Sequence, residues 1–168
     1  MKYCWPCTIY QGRYPEITDG FQLVATKDHR AHEGVDIMLP RLKTEPVDRE
    51  FTTPGHAAPP GWLSVACGAG TVVRVAWDKD LGLDITIKHV DGDLSGIWSY
   101  YAHQKEGSAV VKVGDSGSAG DPLGLIWHAP KVGHAVAHLH FGMYRDAWGR
   151  KPISPVAYLG RWKAVTQR

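Results

Sequence analysis

The residues that could do chemistry fall into a few short patterns, and most of them contain histidine. His138-Leu139-His140 sets two imidazoles two positions apart. Side chains alternate along a strand, so both would point into one cleft. His32-Glu33-Gly34-Val35-Asp36 sets a histidine and a carboxylate four positions apart, again on one face of a strand. A nitrogen and an oxygen donor so placed could bind one metal ion. Gly34 between them leaves that face open to a ligand or to another backbone. His89 and Asp93 repeat the spacing across Asp91-Gly92, a turn signal, so their ends need not converge and this copy is assigned to a hairpin. His103 ends a strand-like run after Trp98, Tyr100 and Tyr101.

These patterns share one chemistry. A catalytic zinc takes three protein ligands and leaves a fourth position for water, whose pKa falls towards about 7. Two histidines and one carboxylate suit it. His32, Asp36 and one of His138 and His140 would be the ligands. His103 and the other histidine would transfer protons or stabilise charge on a tetrahedral intermediate. Each pattern alone is cheap in a chain with nine histidines, so their order and surroundings must carry the argument.

The elements that would hold these residues are short strands. Residues 31–39 alternate with period two. Residues 63–66, 70–77, 83–90, 97–103, 123–127 and 138–144 also have strand character, with turn residues between them. Residues 155–159 fit one helical turn. No long amphipathic helix and no internal repeat is present. Residues 40–61 hold five of the eleven prolines and read as a long loop, a length that is usually functional or mobile. Nineteen glycines favour turns over helices. The expectation is an all-β, mostly antiparallel domain.

Length and charge narrow the classes. The chain has 168 residues, enough for one domain with a real core. A hydrophobic share of 43% excludes a disordered chain. A net charge of +2 and the lack of a basic aromatic module argue against a nucleic-acid partner. No run approaches the about 18 apolar residues of a membrane span. Residues 1–12 lack the charged start and apolar middle of a secretory signal. Cys4 and Cys7 form a C-x-x-C pair, with no second pair to complete a four-thiolate zinc site. That pair is expected to be structural, and Cys67 to be a core thiol.

The ordered motifs resemble a known family. H-x-G-x-D at His32–Asp36, then Tyr101-Ala102-His103, then His138-Leu139-His140-Phe141 is similar to the lysostaphin/LytM-type zinc endopeptidases that cut peptidoglycan. The strand from Gly70, the glycine turns at Gly114-Asp115 and Gly120-Asp121, and the closing segment Ile153–Leu159 support the resemblance, although Ser154 replaces the usual aspartate. It covers roughly residues 30–159. It implies a compact antiparallel β core with long groove-forming loops and one Zn²⁺ held by His32, Asp36 and His140. It implies catalytic roles for His138, as general base, and for His103, which would orient water or stabilise the oxyanion. It divides the chain into an N-terminal extension, 1–29, packed on the core, and a metallopeptidase domain, 30–168, with an insertion at about 41–61.

Departures from the family pattern carry expectations of their own. The insertion is expected to form a groove wall with Trp62 beside it. His128 and His134, in an unusual segment, are expected to be loop residues. No tyrosine closely precedes His32 to act as an oxyanion donor, and neither Tyr100 nor Tyr101 is assigned that role. The function implied is a monomeric zinc endopeptidase acting on the peptide stems or cross-links of bacterial cell wall. A phage lysis or virion-associated enzyme, released through a holin, fits the lack of a signal. The alternatives are a non-catalytic cell-wall or hydrolase-regulating module on the same fold, and a zinc hydrolase of another amide.

Overall fold

A computed structural model describes residues 1–27, 30–128, 136–147 and 149–167. The strands are β1 (Cys4–Ile9), β2 (Glu16–Asp19), β3 (Gly34–Pro40), β4 (His56–Ala57), β5 (Leu63–Val65), β6 (Gly70–Asp78) and β7 (Gly82–Lys88). They continue with β8 (Ile97–Gln104), β9 (Ser116–Gly117), β10 (Pro122–Leu125), β11 (Leu139–Ala147), β12 (Arg150–Ile153) and β13 (Lys163–Thr166). The α-helix among the described residues is one turn, α1 (Val156–Leu159). None is long and apolar enough to cross a membrane.

The strands form two sheets. The larger runs β2-β3-β11-β8-β7-β6-β9, with β12 on β11 and β4 on β3. The smaller runs β10-β5-β1-β13. One face of the large sheet carries Val35, Ile37, Ile85, Tyr101, Leu139, Phe141 and Met143, all fully buried. The small sheet closes over that face with Cys7, Trp62, Ala66, Leu123 and Ile126, giving one continuous core. The strands of the large sheet must therefore alternate, and the side chains between the core positions emerge on the opposite face. That second face carries Asp36 and His140.

Several elements depart from what periodicity suggests. The first 29 residues supply β1 to the middle of the small sheet and β2 to the edge of the large one. Pro6 sits inside β1, where proline is unusual because it cannot donate to the ladder. The pairing of β1 with β13 slips between Cys4 and Thr8, and Pro6 falls in that irregular stretch, where no regular ladder bond is lost. Residues 110–113, which alternate no better than their surroundings, form no strand. Asp91-Gly92 opens a short 3-10 turn at Gly92–Leu94 rather than a two-residue hairpin.

Trp62, at the end of the 41–61 insertion, lies inside the core. It is completely buried, and its indole Nε1–H donates to the carbonyl of Thr8 at 2.8 Å. A large aromatic ring next to the 41–61 insertion is worth more in the core than at the surface. The insertion itself is tied down: Arg13 donates to both carboxylate oxygens of Glu45 at 2.8 and 2.9 Å, and β4 pairs with β3. The three cysteines are buried and unbridged. Burial pushes the Cys4 thiol up to about 12 and the Cys67 thiol up to about 11, which leaves them protonated and inert near neutral pH.

Truncating Trp62 removes a fully packed side chain and orphans the Thr8 carbonyl. Trp62→Ala is expected to lower unfolding stability by about 3–5 kcal/mol, read as a drop in the urea midpoint at unchanged slope.

Candidate metal and catalytic site

The site is built by strand register. His140 on β11 lies directly opposite Asp36 on β3 and Ala102 on β8. Directly opposed residues share a face, so His140 and Asp36 meet on the side away from the core. His32, just before β3, is pinned by two backbone hydrogen bonds with Gln22 of 2.6 and 2.8 Å. The three side chains converge. His32 Nε2 lies 3.1 Å from Asp36 Oδ1 and 3.0 Å from His140 Nδ1, and His140 Nδ1 lies 3.1 Å from Asp36 Oδ1.

Gly34 explains how β11 can approach so closely. A Cβ added at Gly34 would stand 2.7 Å from His140 Nε2 and 2.7 Å from the Phe141 carbonyl. The open face that the sequence offers is filled by the His140 ring itself.

His103 would miss the site on a regular strand. Tyr101, two residues earlier, faces the core, so period two would send His103 there as well. A β-bulge prevents this. Leu83 and Ile85 of β7 are two apart, but their partners on β8, Gln104 and Tyr101, are three apart. His103 has φ 60, the left-handed backbone that such a bulge uses. The extra residue turns its imidazole onto the site face, 4.7 Å from the His138 ring and 5.9 Å from the His140 ring.

Backbone carbonyls fix three of these rings. His32 Nδ1 lies 2.9 Å from the Gly20 carbonyl, His103 Nδ1 2.8 Å from that of Leu81, and His138 Nδ1 2.7 Å from that of Val136. A carbonyl can only accept, so each Nδ1 carries a proton, and whenever the ring is neutral its Nε2 presents a lone pair to the cleft. Such outer contacts hold metal-site histidines in one tautomer and orientation. The Leu81 carbonyl is itself held in a tight turn, where Asp78 Oδ1 accepts from the N–H groups of Asp80 and Leu81 at 2.7 and 2.9 Å.

The electrostatics follow from this packing. Burial alone would raise the Asp36 carboxyl, but hydrogen bonds from His140 and His32 and the charge of His138 outweigh it and hold Asp36 well below the carboxylate range. The hydrogen bond to Asp36 raises His32 against the opposing effect of burial. Burial, reinforced by His138, pushes His103 down to about 3, leaving it a neutral imidazole. A carboxylate oxygen and two imidazole nitrogens facing one another at 3.0–3.1 Å need a proton or a metal cation between them. Donors bound to zinc at about 2.0–2.2 Å at tetrahedral corners stand about 3.3–3.6 Å apart, a few tenths of an ångström wider than here. Charge, donor type and spacing all fit a divalent ion. Among the described residues, His32, Asp36 and His140 are the group with such convergence.

The surrounding cleft has a volume of about 290 Å³ and is rimmed by Arg30, Glu33 and Leu81. His138 faces it with Nε2 3.5 Å from Asp36 Oδ2. The other histidines lie elsewhere. His89 is fully buried, between the Ala69 carbonyl and the Ser99 hydroxyl, each at 2.8 Å. His128 stacks near Trp127 and Phe51 rather than in the cleft. His134 lies outside the described residues. Tyr101 is sealed in the core, and the Tyr100 ring stands edge-on to His140 at 6.1 Å. The sequence gives no sign of the Gly20, Leu81 and Val136 carbonyls, because a backbone group carries no residue signature.

A scaffold of two mostly antiparallel sheets in this order, with β1 and β13 parallel, is the lysostaphin/LytM-type fold, and solved structures share it. A chain from the SpoIIIAH and SpoIIQ complex superposes with TM-score 0.67 at 16% identity, over 94% of this chain and 99% of that one. A zinc-containing peptidase from Vibrio cholerae gives TM-score 0.63 at 20% identity, over 92% of this chain and 39% of that one, so the chain spans well under half of that protein. The catalytic domain of lysostaphin from Staphylococcus simulans gives TM-score 0.56 at 18% identity, over 88% and 92%. No curated protein matches by sequence. Residues 56–155 match Peptidase family M23, and the chain belongs to that family. The matched stretch contains His103, His138 and His140, whereas His32 and Asp36 precede it.

Gly34→Ala places a methyl group against the His140 ring and the Phe141 carbonyl. It is expected to destabilise the fold by about 1–3 kcal/mol and to displace His140, seen as a lower melting temperature together with shifted His140 ring resonances.

Proposed function

We propose that the chain is a zinc-dependent peptidoglycan endopeptidase, hydrolysing peptide stems or cross-links at the bacterial cell wall. Family membership supports a peptidoglycan-related hydrolase or regulator. The observation that carries the finer reading is the convergence of His32 Nε2, Asp36 Oδ1 and His140 Nδ1 opposite two tautomer-fixed histidines. His32, Asp36 and His140 would hold one Zn²⁺. When bound, the ion supplies Lewis acidity, lowering the pKa of water and polarising an amide carbonyl.

The chain's own residues would do the rest. His138 Nε2, with its lone pair turned into the cleft, takes the proton of the attacking water and returns it to the leaving amine. His103 Nε2, also a lone pair on a neutral ring, accepts a hydrogen bond from that water and orients it. This tautomer favours water orientation over oxyanion donation, since a donor at Nε2 would need a second proton. The buried Asp36 charge would stabilise the His138 imidazolium that forms.

A second reading is a non-catalytic module on the same fold, favoured by the superposition on nearly all of a chain from the SpoIIIAH and SpoIIQ complex. The complete His/Asp set stands against it.

His140→Ala is expected to lose stoichiometric zinc and at least about 1000-fold of wall-hydrolysing activity, by metal analysis and mass spectrometry of released muropeptides. Full activity in that variant would overturn the assignment. Wild-type protein that retains no zinc and leaves the wall intact would establish the second reading. Chelation should abolish activity and added zinc restore it, with weaker uptake at acid pH because protons compete for the imidazole nitrogens.

A further inference from the structure

His103 and His138 belong to different elements, yet one residue joins them. The backbone N–H of Trp127 donates to the His103 carbonyl at 2.8 Å, and the Trp127 carbonyl accepts from the His138 N–H at 3.3 Å. Any shift of Trp127 moves both histidines relative to each other. Their 4.7 Å ring separation therefore depends on what holds the Trp127 indole.

Among the described residues, Phe51 and Lys105 hold it, beside the neighbouring His128 ring at 5.5 Å. The Phe51 ring meets it edge-on, with centroids 4.8 Å apart and planes at 71°. The Lys105 ammonium lies 5.0 Å from the ring centroid. Phe51 comes from the 41–61 insertion. Its neighbour Glu50 accepts a hydrogen bond from the backbone N–H of Ala137 at 2.6 Å, one residue before His138. The insertion is in turn anchored by the Arg13–Glu45 pair and by the pairing of β4 with β3, and the Ala58 N–H on the Phe51 carbonyl at 2.9 Å ties Phe51 to the end of β4. Residues 41–61 do not line the metal cleft. They grip the two segments that deliver the proton-handling histidines.

We propose that Phe51 is a positioning residue, which acts through Trp127 to set the relation between His103 and His138. The proposal rests on the endopeptidase reading for its kinetic consequence, but its geometric core does not. A purely structural Phe51 would change melting temperature and nothing else. A positioning Phe51 acts on the chemical step, because an ångström of misplacement costs about 10- to 100-fold in rate.

The test uses the full zinc-loaded chain carrying Phe51→Ala and, as conservative variant, Phe51→Tyr, which keeps the ring edge. The measurements are kcat and KM on a soluble peptidoglycan peptide, zinc stoichiometry, and ring-proton NMR of His103 and His138. Phe51→Ala is expected to lower kcat about 10- to 100-fold with KM within about twofold, to keep zinc, and to shift both rings' resonances. Phe51→Tyr is expected to restore most of kcat. Unchanged kcat with unmoved resonances would overturn the proposal, and so would a loss confined to KM. If wild-type protein hydrolyses no wall peptide, the endopeptidase reading fails, and the ring resonances alone decide this inference: unmoved in Phe51→Ala, it is wrong. If Phe51→Ala does not fold, Phe51→Leu, which keeps bulk without the ring edge, takes its place.

Discussion

The register between β3, β11 and β8 is the constraint on which the rest of this molecule depends. It sets His140 opposite Asp36 and Ala102, and it holds the intervening residues in the core. Slipping one strand by a single residue would exchange the two faces, sending Phe141 to solvent and His140 into the interior. The apolar residues of these strands therefore enforce the site as much as they stabilise the fold. Val35, Ile37, Leu139 and Phe141, all fully buried, rule out any shift by an odd number of residues.

Within that frame the site uses two departures from regular structure, and both bring a side chain where regular geometry would not. Gly34 removes the Cβ that would collide with His140. The bulge at His103 reverses the strand's alternation for one residue. Left-handed backbone at a non-glycine residue costs of order 1–3 kcal/mol and persists where surrounding structure over-determines it. Here the Leu81 carbonyl on the ring and the Trp127 N–H on the His103 carbonyl supply that surrounding structure.

The legible and illegible parts of the sequence divide along the same line. Alternation over residues 31–39 and 138–144 marks β3 and β11, and short apolar runs between turn residues mark β5, β6, β7, β8 and β10. Beside its ordered motifs, the positions of His32, Asp36, His138 and His140 follow from parity. His103 does not: alternation sends it to the wrong face, and its role rests on its company among the other candidates and on the resemblance to related peptidases. β1 was equally opaque, since Cys4-Trp5-Pro6-Cys7 has neither alternation nor a proline-free run, yet it lies mid-sheet. The burial of Trp62 is not legible either, because an aromatic beside a long polar loop shows its depth only once the small sheet folds over it. The anchoring carbonyls and the Phe51–Trp127 contact are tertiary facts that no local window contains.

The three thiols have a consequence of a different kind. Cys4, Cys7 and Cys67 are enclosed, protonated and unbridged, and no part of the scaffold waits on an oxidant. A fold clamped by disulfides matures only after it leaves a reducing interior. This one can reach its finished shape before or after any such crossing. On the zinc-peptidase reading proposed above, the step that remains sensitive to its surroundings is the capture of a cation by His32, Asp36 and His140, so metal supply rather than redox chemistry would decide where the protein becomes competent.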